Sequence, residues 1–236
     1  EDATAVTNYL RRRFGKEKIY VLGHSWGSVL GVLTVQKSPE LFHGYIGIGQ
    51  VVCQSKSECL AYSFMVNEFT AAGDRKMLRR LEKFPIDRGG EVSFQYLAVR
   101  SVGMMKLGIG IMHHLDSMSD CIKIVLRYKG YTLKDKLHFV MGSGLALKCL
   151  WDFVMQTDFV KQVPHLEIPV YIFQGRFDYQ VSYSLAKEFA DTVKAPVKGF
   201  YTFENSAHSP CFEEPKKMCH IIREDVLQGK CGLADG

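Results

Sequence analysis

The chain has 236 residues, 47% hydrophobic and 23% charged, the balance of a globular protein large enough for one sizeable domain. Its net charge of +5 is mild, and the basic clusters at Arg11-Arg12-Arg13 and from Arg75 to Arg80 carry no interleaved aromatics, which reads as solvated helix faces and argues against nucleic-acid binding. Seven cysteines without metal-type spacing read as buried or partly buried free thiols in a reducing, cytoplasmic setting, with no metal expected. No run approaches the roughly 18 apolar residues of a membrane span.

In chain order, Val6, Tyr9, Leu10 and Phe14 give helical spacing to Asp2–Phe14, and Gly15 ends it. Lys18 to Leu22 is a short apolar run that reads as a buried strand. Gly23-His24-Ser25-Trp26-Gly27 follows, and Ser28 opens an apolar helix running to about Gln36. Strand, Gly-x-Ser-x-Gly, helix is the pattern of a nucleophile elbow, in which a serine on a sharp, strained turn lifts its hydroxyl above a sheet. Both flanking glycines are expected to let strand and helix approach without Cβ clashes. His24 is expected to point away from the serine's pocket. A turn over 37–42 and a second buried strand over 45–52 complete a βαβ unit, hence parallel pairing.

From 53 to 160 no strand alternation is visible. Helices are expected at about 54–72, 74–83, 91–106, 108–115, 117–126, 132–139 and 144–156, carrying eight of the nine methionines. Methionine adapts to irregular gaps, which suits a lid over a pocket, and it equally suits plain helical core. Strands return at 168–175 and 197–203, with helices at 183–193 and 214–227. The fold class is therefore α/β, a doubly wound, mostly parallel sheet from 1–52 and 161–236 with an inserted helical cap over 53–160.

A serine nucleophile needs a base, and the base needs an orienting acid. In an α/β-hydrolase these follow in the order Ser, Asp or Glu, His, at the carboxyl ends of parallel strands. Asp178 follows the third strand and His208 the fourth, so the expected triad is Ser25, Asp178 and His208. His113-His114 on a cap helix, His220 on the last helix, and Asp152 and Asp158 at helix ends are weaker alternatives. The Trp26 backbone N–H supplies one oxyanion donor. The second normally comes from a loop after the third strand of this fold, which would lie upstream of residue 1, so the first strands of the sheet are expected to be absent from this chain. Gln50, Tyr179 and Glu204 are candidate substrate contacts.

Gly23-His24-Ser25-Trp26-Gly27-Ser28, Gly175-Arg176-Phe177-Asp178-Tyr179, and Ser206-Ala207-His208-Ser209-Pro210 with Glu213-Glu214-Pro215 together resemble the proline iminopeptidase-like α/β-hydrolases of bacteria, from the first helix to the last. The resemblance implies a serine aminopeptidase-type hydrolase that releases an N-terminal residue, often proline, from small peptides without metal or organic cofactor. It also implies acidic groups near the pocket that hold the substrate amine. Glu58, Glu68 and Glu204 are the candidates, none of them matched to a family motif and each equally readable as a structural carboxylate. Three readings of the missing strands stand: a fragment of a longer protein, which is favoured, two copies paired through the exposed sheet edge, or an inactive relative. Two other functions stand beside the peptidase: a small-acyl esterase or lipase-like hydrolase, and a non-catalytic binding protein on a hydrolase scaffold. A pocket at Ser25 with no acidic side chain beyond Asp178 would count against the peptidase.

Overall fold

The computed structural model describes residues 1–114, 123 and 126–235. Helix α1 (Asp2–Phe14) leads through Gly15, in the left-handed region at φ 60°, into β1 (Ile19–His24), α2 (Trp26–Lys37) and β2 (Phe42–Ile48). Helices α3 (Gln54–Ala71), α4 (Arg75–Leu81), α5 (Phe94–Leu107), α6 (Leu133–Met155) and α7 (Phe159–Gln162) separate β2 from β3 (Val170–Gly175). Then come α8 (Tyr183–Thr192), β4 (Lys198–Phe203), α9 (Pro210–Glu213) and α10 (Pro215–Glu224).

The four strands form one sheet in the order β1-β2-β3-β4, every neighbouring pair parallel. Parallel pairing puts all four carboxyl ends on one edge. His24 sits level with Ile48, Ile48 with Phe173, and Phe173 with Tyr201. The strand period of two sorts β3 between two cores. Val170 and Ile172 pack with Val32 and Val35 of α2 and Phe189 of α8 on one face. Tyr171 and Phe173 pack with Ile46, Ile48, Tyr201 and Ile221 of α10 on the other. Burial on both faces is why β2, β3 and β4 read as apolar runs; β1, expected to be buried, is instead mostly half-exposed, with Leu22 exposed.

The helical insertion has its own core, in which Met65, Met77 and Met104 are buried with Tyr62, Phe69 and Tyr96. These methionines are helical core. The insertion's last turns belong with the sheet, since Val154 and Phe159 join the α2-side core.

Several expectations need correction. Residues 108–114 are not helical, because Gly108 takes φ 64° and closes α5 with a left-handed cap. The helix expected over 117–126 lies largely outside the described residues. The two helices expected over 132–139 and 144–156 are one, α6, whose Thr132 and Asp135 form a reciprocal capping box. This helix is long and apolar enough to cross a membrane by length and composition, contrary to the reading of the sequence, and only Val154 of it is buried. The apolar stripe of α1 is also largely exposed, with Val6, Tyr9 and Phe14 accessible and Thr7 as its buried residue. Among the described cysteines Cys53 is buried and Cys211 partly so, whereas Cys59, Cys149, Cys219 and Cys231 are exposed.

Candidate active site

Ser25 joins β1 to α2 at φ 56° and ψ −122°, the only non-glycine residue with positive φ among the described residues. Strain of this kind persists only where the surroundings impose it. Here the Ser25 N–H donates to the Ile48 carbonyl at 2.9 Å. The Ser28 hydroxyl donates to the Ser25 carbonyl at 2.5 Å and accepts from the Val51 N–H at 3.0 Å. The two elbow glycines are not equivalent. A Cβ on Gly23 would run into the Gly27 carbonyl, whereas a Cβ on Gly27 would meet nothing within 4 Å.

Asp178 is buried beyond the end of β3. Its Oδ2 accepts from Gln174 Nε2 at 2.7 Å and bonds His208 Nδ1 at 2.9 Å. Its Oδ1 accepts from the backbone N–H groups of Gln180 at 2.9 Å and Val181 at 3.1 Å. Pairing Nδ1–H with the carboxylate leaves Nε2 of His208 as the acceptor nitrogen. That Nε2 is buried and has no hydrogen-bond partner among the described residues, so no bond to the Ser25 hydroxyl is formed here. The structure therefore joins Asp178 to His208 directly and brings Ser25 to the same edge of the sheet on a neighbouring loop.

Two contacts that the sequence did not reveal fix the imidazole. Gly49, at φ 52°, lies against the ring, and a Cβ there would come within 2.8 Å of Cε1 and Nδ1. His24 bonds the His208 carbonyl through Nε2 at 3.0 Å, with the two rings 5.1 Å apart. Burial first, and then the neighbouring His208, holds the His24 imidazole below its usual pKa of 6.5.

Residues 109–114 form a strap across both loops. The Tyr179 N–H donates to the Ile109 carbonyl at 3.1 Å, and the His208 N–H to the Gly110 carbonyl at 3.2 Å. His113 stacks flat on Phe177 at 3.8 Å, and its N–H donates to Glu213 Oε1 at 2.6 Å. Glu213 Oε2 accepts from the Ala207 N–H at 2.9 Å, next to His208. The sequence showed the Glu213-Glu214 pair only as part of a motif; its carboxylates hold the histidine loop, Glu214 through the Ser206 hydroxyl and the Asn205 N–H.

A cavity of about 210 Å³ opens at Ser25, bounded by Trp26, Gln54, Leu97, Arg100, Ser101, Leu147, Trp151, Gln180 and Val181. Trp26 is the first residue of α2, so its N–H has no partner within the helix. Its ring stacks on Trp151 at 6.0 Å. The three sequence-nominated contacts are elsewhere. Gln50 is a buried brace, accepting from the Tyr45 hydroxyl at 2.6 Å and donating to the Val51 carbonyl at 2.7 Å, so both ends of its amide are used. Glu204 is exposed and held bidentately by Arg176 at 2.9 and 3.0 Å. Tyr179 stacks on Phe64 at 4.2 Å and packs against the core of the insertion.

Of the three carboxylates considered for amine binding, Glu68 is exposed and Glu58 is fully buried in an ion pair with Arg100 at 2.7 Å. Among the described residues no acidic side chain lines the cavity. Among the described residues no group of three or more His, Cys, Asp or Glu side chains is arranged to hold a metal.

The model of a family described as serine aminopeptidase, S33, matches residues 1–215. The protein named "Probable aminopeptidase YbaC" from Bacillus subtilis is 30% identical over 94% of this chain and 69% of its own length. A proline iminopeptidase from Saccharolobus solfataricus is 22% identical over 91% of this chain and 64% of its own. The chain thus spans about two thirds of the length of these relatives. The crystal structure of a proline iminopeptidase from Mycobacterium smegmatis superposes with a TM-score of 0.54 at 13% identity, covering 93% of this chain and 68% of that one, a likeness of fold.

Proposed function

The chain belongs to the serine aminopeptidase S33 family of α/β-hydrolases, and we propose that it is a serine hydrolase in which Ser25, His208 and Asp178 form an acyl-enzyme, releasing an N-terminal residue of proline type from small peptides. The observation that carries this reading is the buried Asp178–His208 bond beside a strained serine on the adjacent elbow. Ser25 Oγ attacks the scissile carbonyl carbon as its proton passes to His208 Nε2. Asp178 holds Nδ1–H and stabilises the imidazolium. The Trp26 N–H, at the positive end of α2, takes part of the charge on the carbonyl oxygen. The C–N bond breaks as His208 protonates the leaving amine. Water then attacks the acyl carbon, giving its proton to His208, and Ser25 leaves with that proton.

A second reading, a small-molecule carboxylesterase, is favoured by a cavity lining that holds no acidic side chain among the described residues. The same serine chemistry serves both.

A fluorophosphonate probe tests the shared step. The protein should label, and Ser25→Ala should abolish labelling; a folded wild type that does not label would refute the triad. Hydrolysis of prolyl anilide faster than of a short acyl ester favours the peptidase, and the reverse order the esterase.

A further inference from the structure

The polar wall of the cavity is built on a buried ion pair and the amides around it. Arg100 is only 6% exposed and Glu58 0%. Glu58 Oε2 pairs with Arg100 Nε at 2.7 Å, and Oε1 accepts from Gln54 Nε2 at 2.8 Å. Arg100 Nη1 donates to Gln180 Oε1 at 3.0 Å and Nη2 to the Gln180 carbonyl at 3.1 Å. Gln54 spends its second N–H on the same carbonyl at 3.1 Å.

Counting donors decides what this wall can bind. A guanidinium has five N–H groups. Two donate hydrogen bonds to Gln180, and Nε lies in the ion pair with Glu58 without a hydrogen bond of its own, so among the described residues the side chain that borders the cavity keeps unspent N–H groups. Glu58, fully buried behind Arg100 and Gln54, is not among the residues that bound the cavity. Among the described residues the wall therefore offers N–H donors and positive charge and no accessible carboxylate. An arginine in such a setting suits planar, bidentate recognition of a carboxylate.

We propose that Arg100 is a specificity-determining residue that binds a carboxylate on the substrate, and that this is the terminal carboxylate of a short peptide. The proposal rests on the Ser25 hydrolase reading and narrows its substrates to peptides short enough for that carboxylate to share the cavity with the scissile bond. Glu58 and Gln180 hold the guanidinium in place. Gln180 also donates its own N–H to Asp178 Oδ1 at 2.9 Å, so one residue positions both the carboxylate subsite and the acid of the triad. A charge-assisted hydrogen bond at a shielded site corresponds to a preference of about 10- to 100-fold.

The test is a binding measurement that does not depend on turnover. Calorimetric titration of the Ser25→Ala protein with prolyl-alanine and with prolyl-alanine amide should show the free acid binding about 10- to 100-fold more tightly. The paired variant E58Q/R100Q, which removes both charges together and leaves no buried charge unpartnered, should bind the two ligands equally. R100K keeps the ion pair but loses the fork, and its preference should fall well below the parent value. Equal affinity for acid and amide in the Ser25→Ala protein, no binding of either, or a full preference in R100K would overturn the proposal, whatever the stability of the paired variant. A glutamyl-alanine amide that binds more tightly than its glutaminyl counterpart, with no gain for prolyl-alanine, would move the carboxylate to the acyl side and overturn the assignment to the peptide terminus. Fluorophosphonate labelling of the wild-type protein separates the two ideas: no labelling of the folded wild type refutes the Ser25 chemistry, and wild-type labelling alongside equal affinities in Ser25→Ala refutes the Arg100 subsite alone.

Discussion

Gly49→Ala tests whether the base is held by the strand end beneath it. Two costs are separable in this substitution. The first is conformational: φ 52° places Gly49 in the left-handed region, where a Cβ costs about 1–2 kcal/mol. In a chain of this size that corresponds to a fall in melting temperature of about 2–8 °C. The second is steric and falls on chemistry. The new Cβ would stand 2.8 Å from two atoms of the His208 ring and 3.0 Å from its carbonyl oxygen. The ring cannot yield freely, because Asp178 holds Nδ1, Gly110 takes the backbone N–H and His24 takes the carbonyl.

Gly73 supplies the control. It has φ 66°, and a Cβ there meets nothing within 4 Å, so Gly73→Ala carries the conformational cost alone. The two variants should melt within a few degrees of each other. The fluorophosphonate labelling rate should be that of the wild type in Gly73→Ala. It should fall about 100-fold in Gly49→Ala, the scale of a catalytic group misplaced by about 1 Å. Labelling of Gly49→Ala within a few-fold of Gly73→Ala would refute the claim that this glycine positions the base.

The elbow glycines should respond oppositely to alanine: Gly27→Ala, in open space on the first turn of α2, should raise the unfolding free energy by about 0.5–1 kcal/mol, and Gly23→Ala should not yield folded protein. Chemical denaturation and soluble yield check this, and equal behaviour of the two would show that the elbow is looser than described. His24 should make stability acid-sensitive. Its folded pKa lies below the unfolded 6.5, so between those values the unfolded chain binds more protons, and stability falls as pH drops through that window. His24→Gln retains a donor for the His208 carbonyl without the titration, and its melting temperature should change less than the wild type's between about pH 7 and pH 5; parallel curves would refute the assignment.

The strand pattern and the order Ser25, Asp178, His208 could be read from residue types because each lies next to a local signal: a buried apolar run, a glycine-flanked serine, a turn after a strand. The sheet edge then collects them, since parallel strands share one carboxyl end. What escaped the sequence is what depends on distant residues meeting. Gln50 sits at a strand end, as a pocket residue should, but its amide is spent on Tyr45 and Val51. Glu58 lies on a helix in the insertion, where an amine-binding carboxylate is expected, yet Arg100, 42 positions later, neutralises it. Gly49 and Gly23 look like any glycines until the backbone shows what their missing Cβ atoms would strike.

The strap at 109–114 changes how the insertion relates to the chemistry. A cap is usually read as a cover whose side chains choose the substrate, while the sheet alone builds the catalytic groups. Here the insertion's backbone accepts from the N–H groups of both Tyr179 and His208, one residue beyond Asp178 and the histidine itself. Its His113 lies flat on Phe177 and shares Glu213 with Ala207. Any displacement of the insertion must therefore break hydrogen bonds that fix the spacing of Asp178 and His208. The same segment begins at Gly108, whose left-handed cap ends α5, and α5 carries Arg100 into the cavity. Substrate contact at Arg100 and alignment of the Asp178–His208 pair are thus joined through one helix and its cap. A change in how the insertion sits over the cavity would be felt at the base as well as at the pocket wall.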